Sequence, residues 1–422
     1  MTSDGPHDEQ RQTPASRPVV VESTEGAWRE QTPPDAQGRF RCVVHGRGSR
    51  IERRAEPQAA SPKPQGGPVM PGGAQLLPGG EFYVAIDNVC AWPNLTLLPS
   101  GEIVAAVYNH PSHGFGCGNV ELWASADGGR LWAKRSTVSD HADQPDHVRM
   151  NHAVGLDADG HLVALVSGWS EGRRAPILDI QICRSTDAGR TWERAIWPRP
   201  VDERRVPFGD IVARPDGVLT AACYGKTGEA HHAYTCRSSD GGRSWGDLRP
   251  LAENHNETAL VRLASGAWLA ASRGSRCTVD YGLIADTTSA LTLSRSDDDG
   301  LTWAEQGVVT PQGQYPGHLL QLADGRVVLT YGSRIVGLYG AAARISDDDG
   351  NTWSRAQVLV ATHGPMDCGY PSTVELPDGT LVTAYYAGAR THPKFRHTCP
   401  YALPWHQRYH MGVCRWRPDV FA

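Results

Sequence analysis

One eight-residue pattern occurs five times in this chain: SADGGRLW at Ser125–Trp132, STDAGRTW at Ser185–Trp192, SSDGGRSW at Ser238–Trp245, SDDDGLTW at Ser296–Trp303 and SDDDGNTW at Ser346–Trp353. Its fixed positions are Ser-x-Asp-x-Gly-x-x-Trp, with Thr or Ser before the Trp in four copies. Each position suits a tight hairpin turn. The Asp carboxylate accepts hydrogen bonds from backbone N–H groups of the turn, and the Ser hydroxyl closes it from the other side. The Gly supplies positive φ, and the Trp leaves the turn to pack between sheet layers. One copy is a weak signal. Five copies, 50 to 60 residues apart from Gly to Gly, specify a repeat architecture.

A second repeat is interleaved with the first. Six units run as an apolar strand, a turn at Gly and a returning strand: NLTLLPSGEIVAAVY, AVGLDADGHLVALVS, DIVARPDGVLTAACY, ALVRLASGAWLAASR, HLLQLADGRVVLTYG and STVELPDGTLVTAYY. Their turn glycines are Gly101, Gly160, Gly217, Gly266, Gly325 and Gly379. The first five units are each followed by an eight-residue box, and the sixth runs instead to MGVCRWRPD near the C-terminus. A last sheet one strand short needs an edge partner from elsewhere, and Phe82 to Asp87 is the candidate. Residues 1–75 differ in character. They are rich in Pro, Gln, Ser, Asp and Arg, read as a disordered or extended segment ending in a linker over 54–73, and show only FRCVVH at 40–45 as a strand signal. The domain proper is expected over 76–422.

Several function classes are excluded by composition. Formal net charge is −5 with no basic stripe, which argues against nucleic acid, and no basic amphipathic run marks a membrane surface. No apolar stretch is long enough to span a bilayer. The first 18 residues lack the apolar core of a signal peptide, so a cytoplasmic location is expected and the ten scattered Cys read as reduced thiols.

Strand parity locates a site. If the Gly turn and the box turn share one face, the starts of first strands and the ends of second strands share the other, around the axis. Nine positions before the turn glycines stand Trp92, Asn151, Phe208, Glu257, Pro316 and Tyr370, and two positions later Asn94, Ala153, Asp210, Ala259, His318 and Ser372. Past the second strands come His110, Trp169, Lys226, Arg273 and Arg334. This ring mixes acids, bases, aromatics and imidazoles, whereas a purely structural axis is served by small and apolar residues.

The box resembles the Asp-box, or BNR repeat, of the sialidase-like superfamily, and the resemblance covers Phe82 to the end. It implies an all-β fold, a six-bladed β-propeller, in which the boxes are structural. NETALVRLASGAWLAASR resembles the sialidase segment with a catalytic Glu and a substrate-binding Arg, at the positions of Glu257 and Arg273. GYPSTVELPDG resembles the segment with the nucleophilic Tyr, at Tyr370, and Arg334 lies near a further Arg of the family. The resemblance implies that Tyr attacks the anomeric carbon while Glu takes its proton, and that the arginines bind a sugar carboxylate. Trp92, His110, Asp210 and His318 are the remaining candidates for contact with a sugar, His110 and Asp210 with acid and positioning roles. The sequence departs from the family in three places. Ala91-Trp92-Pro93 stands where Arg-Ile-Pro is usual, NHPSHGFGCGN at 109–119 carries no carboxylate where the family has its acid, and Tyr385-Tyr386 replaces an orienting Glu.

Two readings of each residue stay open: Glu257 as catalyst or as partner of an arginine, Tyr370 as nucleophile or as a cap on the axis, Arg273 and Arg334 as ligand binders or as ion pairs to Asp210 or Glu257. No cofactor is expected. His110, His113 and Cys117, and likewise His392, His397, Cys399, His406 and His410, lack a tight metal-ligand spacing, so no metal is expected either. The expected partner is a carbohydrate. The leading reading is an exo-acting glycoside hydrolase for a terminal, anionic sugar, and the alternative is a non-catalytic propeller that binds glycan or protein.

Overall fold

A computed structural model describes residues 80–87, 92–111, 113–114, 117–141, 146–170, 177–198, 205–227, 230–274, 289–335, 338–362, 367–388 and 409–421. It also gives the backbone of four short strands nearer the N-terminus, Val20–Glu22, Trp28–Gln31, Cys42–His45 and Gln75–Leu76. The linker read over 54–73 lies outside the described residues. The first three short strands pair as an antiparallel sheet within the stretch read as extended, and the fourth runs parallel to Gln357–Thr362.

The remaining strands form antiparallel meanders of four, and the fold is an all-β propeller. Sheet one is Asn94–Leu97, Ile103–Tyr108, Val120–Ser125 and Ala133–Ser139. Sheet two begins at His147–Leu156, sheet three at Val206–Ala213, sheet four at His255–Arg262 and sheet five at Gln314–Gln321. Sheet six has Gly369–Glu375, Leu381–Gly388 and Tyr409–Trp416, and its fourth strand is Glu81–Asp87 from the other end of the chain. The expected closing strand is therefore in place. First strands contact one another in order around an axis, and the sixth contacts the first. Sheets two and three also share a parallel pairing of Ala153–Gly155 with Gly209–Ile211.

The boxes are built as their residues dictate. In every copy the Ser hydroxyl donates to the box Asp and accepts the N–H of the box Gly, all at 2.7–2.9 Å. The same Asp oxygen accepts two further amides, such as those of Arg190 and Thr191. Where Thr or Ser precedes the Trp, its hydroxyl donates to the second carboxylate oxygen. The box Gly also marks where one sheet meets its neighbour. A Cβ on Gly129 would press on Val382 of sheet six, on Gly189 on Leu122 of sheet one, and on Gly350 on Leu269 of sheet four. The boxes thus staple neighbouring sheets together, at the opposite end of the strands from Glu257 and Tyr370.

The box Ser residues are buried, Ser296 with 2 % exposure. Ser296→Ala leaves the amide of Gly300 without its acceptor and is expected to lower stability by about 1–3 kcal/mol, read from urea unfolding. Ile86, 4 % exposed, carries the closing strand's apolar contact with Leu95, Ile103 and Met411. Ile86→Ala is expected to cost about 2–5 kcal/mol in the same assay. A loss under about 1 kcal/mol would show that the strand does not seal the ring.

Candidate active site

Glu257 and Tyr370 meet at the axis. Tyr370 Oη donates to Glu257 Oε1 at 2.5 Å, although 113 residues separate them. Both are buried, at 7 % and 5 % exposure. Each sits in a bulge at the start of a first strand: the register of sheet four shifts between His255 and Thr258, and that of sheet six between Gly369 and Ser372. Bulges re-aim side chains, and here they turn both residues inward. Gly369 takes φ +94°, and a Cβ on it would collide with Gly332 of sheet five. Tyr370 follows at φ +48°, a left-handed conformation that costs a bulky residue roughly 1–3 kcal/mol and persists only where the surroundings hold it. Trp92 does the same at φ +56°.

Arg273 completes this group. From the end of the second strand of sheet four its Nη1 donates to Glu257 Oε2 at 2.8 Å and to Tyr370 Oη at 3.4 Å. Its guanidinium lies 4.3 Å over the ring of Tyr315, and that of Arg334 lies 4.9 Å from the same ring and 5.8 Å from Tyr370. Burial raises the Tyr370 phenol well above its usual pKa, and the negative charge of Glu257 adds to this. Tyr370 is thus a neutral phenol whose proton already points at a carboxylate.

A second buried carboxylate lies alongside, and the sequence reading passed over it. Asp367, 4 % exposed, accepts from Tyr386 Oη at 2.5 Å, from Tyr409 Oη, and from His113 Nδ1 at 2.7 Å, with Arg334 Nη2 at 3.4 Å. Burial alone would raise its pKa, but the charge and hydrogen bond of His113, then Arg334 and Tyr386, outweigh burial and hold it well below the usual carboxylate range. The same burial and the Asp367 charge push the Tyr386 and Tyr409 phenols up. The only sequence signal was an acid three residues before Tyr370; of its partners strand parity ranks Arg334 alone, and not His113, Tyr386 or Tyr409.

The other candidates fall into two groups. Trp92 joins Tyr108, Tyr370, Tyr386 and Tyr409 in an aromatic cluster, its ring 5.8 Å from Tyr370 and 4.6 Å from His113, both edge-on. Asp210 bonds His318 Nε2 at 2.9 Å and Asn94 Nδ2 at 2.9 Å, joining sheets three, five and one. His110 stands 6.1 Å from the ring of Tyr108. Of the ion pairs weighed for the arginines, Arg273 takes Glu257, while Arg334 pairs with Asp367, which was not weighed. His392, His397, Cys399 and His406 lie outside the described residues. Among those described, Asp157, Asp159 and His161 lie close enough to hold an ion. Asp157 there accepts two amides of its own turn and pairs with Arg184, which accounts for the cluster without one.

Comparison with known proteins now places the chain. The model of the BNR repeat-like domain family matches residues 105–383, about two thirds of its length. The chain belongs to that family. A sialidase of Micromonospora viridifaciens is 24 % identical over 340 residues, 70 % of this chain and 49 % of that protein, so the chain spans about half the length of this curated relative. Among solved structures, a protein of unknown function from Dyadobacter fermentans superposes with TM-score 0.62 at 22 % identity, covering 81 % of this chain and all of that one. Trypanosoma rangeli sialidase in complex with sialic acid superposes with TM-score 0.63 at 13 % identity, covering 82 % of this chain and 60 % of the sialidase. These likenesses establish a sialidase-like propeller fold for this family member. No described helix is long and apolar enough to cross a membrane.

The depressed pKa of Asp367 has a consequence for acid stability. Its folded pKa lies below the unfolded value near 3.9, so its contribution is complete above about pH 4 and is lost as pH falls further. Asp367→Asn is expected to flatten the fall of stability below pH 4 by up to about 1.4 kcal/mol per pH unit, measured by urea unfolding at stepped pH. An unchanged slope would show that the carboxylate is not held ionised in the folded state.

Proposed function

We propose that this chain is a sialidase-like glycoside hydrolase acting in exo fashion on a terminal sugar. The supporting observation is the buried hydrogen bond between Tyr370 and Glu257. A phenol is a poor nucleophile at neutral pH because it holds its proton. A carboxylate within hydrogen-bond reach removes that proton as the new bond forms. Tyr370 Oη then bonds to the anomeric carbon, and Glu257 carries the proton until water releases the sugar and Tyr370 takes it back. Arg273, touching both residues, stabilises the charge that passes between them. The substrate class that suits an uncharged nucleophile between two guanidiniums is a sugar with a carboxylate at its anomeric carbon, which would repel an Asp or Glu nucleophile. Trp92 offers the sugar an aromatic edge, and Asp210 with His318 offers polar contacts across the axis.

A second reading has its own support. Arg273 and Arg334 each have a carboxylate partner within the protein, which suits a propeller that binds glycan or protein without cleaving it. A screen with 4-nitrophenyl glycosides of N-acetylneuraminic acid, uronic acids and deoxy sugars separates the two, since binding without release of nitrophenol supports the second. On any glycoside turned over, Tyr370→Phe and Glu257→Gln are each expected to lower kcat/KM by roughly 10²–10⁴-fold in folded protein. The double variant should be little worse than either alone, because residues acting as a unit are not additive. Near-normal turnover by Tyr370→Phe would overturn the mechanism.

A further inference from the structure

Breaking a glycosidic bond needs a proton for the departing oxygen as well as a nucleophile. The groups around Tyr370 narrow the choice of donor among the described residues. Glu257 is engaged as the acceptor of the Tyr370 proton. Asp367 is held ionised by its donors and has no proton to give. Tyr386 and Tyr409 donate to that same carboxylate, and their phenols are pushed up. Arginines do not release protons in this range. His231 lies near Glu257 and Arg273, His110 near Tyr108, and His318 pairs with the part-exposed Asp210; His113 is the imidazole here that is held by a buried carboxylate.

Its placement suits the task. An ionised carboxylate only accepts, so His113 Nδ1 carries a proton and donates it to Asp367 Oδ2 at 2.7 Å. The opposite nitrogen, Nε2, is thereby directed away from Asp367. The ring stands edge-on to Trp92, whose own edge contact is with Tyr370, which places the imidazole one ring away from the nucleophile. Its side chain keeps 19 % exposure against 6 % for Asp367, so the acid is reachable and its partner is not. The neighbouring Gly114 is packed on sheet two: Trp169 Nε1 donates to the carbonyl of Gly114 at 3.1 Å, and a Cβ on Gly114 would strike the Trp169 ring.

We propose that His113, oriented by Asp367, is the proton donor to the leaving group. As Tyr370 Oη bonds to the anomeric carbon and passes its proton to Glu257, the bond from that carbon to the departing oxygen breaks and the oxygen takes the proton from His113 Nε2. In the second half, neutral His113 takes a proton from the attacking water, the bond to Tyr370 breaks, and Glu257 returns the proton to Tyr370. The sum is one glycoside and one water converted to free sugar and alcohol. Asp367 is a positioning residue in this scheme.

This inference rests on the hydrolase reading, and the test separates the two. On the sugar found in the nitrophenyl screen, wild type and His113→Ala are compared with the 4-nitrophenyl and the methyl glycoside. Nitrophenolate departs without help and methoxide does not. His113→Ala is expected to lower kcat/KM at least 100-fold on the methyl glycoside and less than 10-fold on the nitrophenyl one, with imidazole in the buffer restoring part of the former. Tyr370→Phe loses both equally. Equal losses on the two glycosides in folded His113→Ala, or no loss, would overturn the assignment and leave the hydrolase reading standing. Wild type that turns over no glycoside overturns both.

Discussion

The centre of this protein depends on how closely the first strands of neighbouring sheets approach. Stacked sheets with ordinary side chains between them stand about 10 Å apart, and glycine allows a closer meeting. At Gly155 a Cβ would run into the carbonyl of Ile211 on the next sheet, and at Gly332 and Gly369 the backbones of sheets five and six come together. This closeness lets Glu257 of sheet four reach Tyr370 of sheet six across sheet five. From sheet five, Tyr315, fully buried, serves as a platform for both arginines.

Charge at the axis is organised as two pairs around the aromatic cluster. Glu257 balances Arg273, and Asp367 balances Arg334. Such pairs are expensive to bury unless hydrogen bonds satisfy the remaining atoms. Here phenols do much of that work, Tyr370 for Glu257, and Tyr386 with Tyr409 for Asp367. The two carboxylates therefore sit in matched surroundings with different neighbours. One accepts the proton of a phenol, and the other holds an imidazole.

Much of this was legible because it is periodic. The boxes, the turn glycines and the closing strand follow from repeats and alternation, and counting nine positions back from a turn glycine led to Glu257 and Tyr370. The count worked because the bulges of sheets four, five and six fall at similar places, taking in Glu257, Pro316 and Tyr370. Asp367 and His113 were not legible in the same way. Asp367 precedes its strand, His113 lies in a connection, and their contact spans 254 residues. No period predicts where two loops meet. The pairing of Arg334 with Asp367 was hidden for the same reason, since strand parity ranks Asp210 and Glu257 and is blind to a carboxylate outside the strands. Ala91 stands where the family resemblance expects a third arginine, and the packing of the next residue, Trp92, against Tyr370 and Tyr386 could not be read from its position alone.

The strand Tyr409–Trp416 has two duties. Along its length it pairs with Glu81–Asp87, and its first residue, Tyr409, donates a hydrogen bond to Asp367. During synthesis the chain emerges from its N-terminus, so Glu81–Asp87 waits through more than 300 residues for its partner. Closing so long a loop is slow relative to forming local hairpins. A nascent chain can thus build its early sheets while both its seam and the surroundings of Asp367 stay incomplete. Completion of the ring and completion of the surroundings of Asp367 arrive with the same strand, so the axis is assembled only when the seam is sealed.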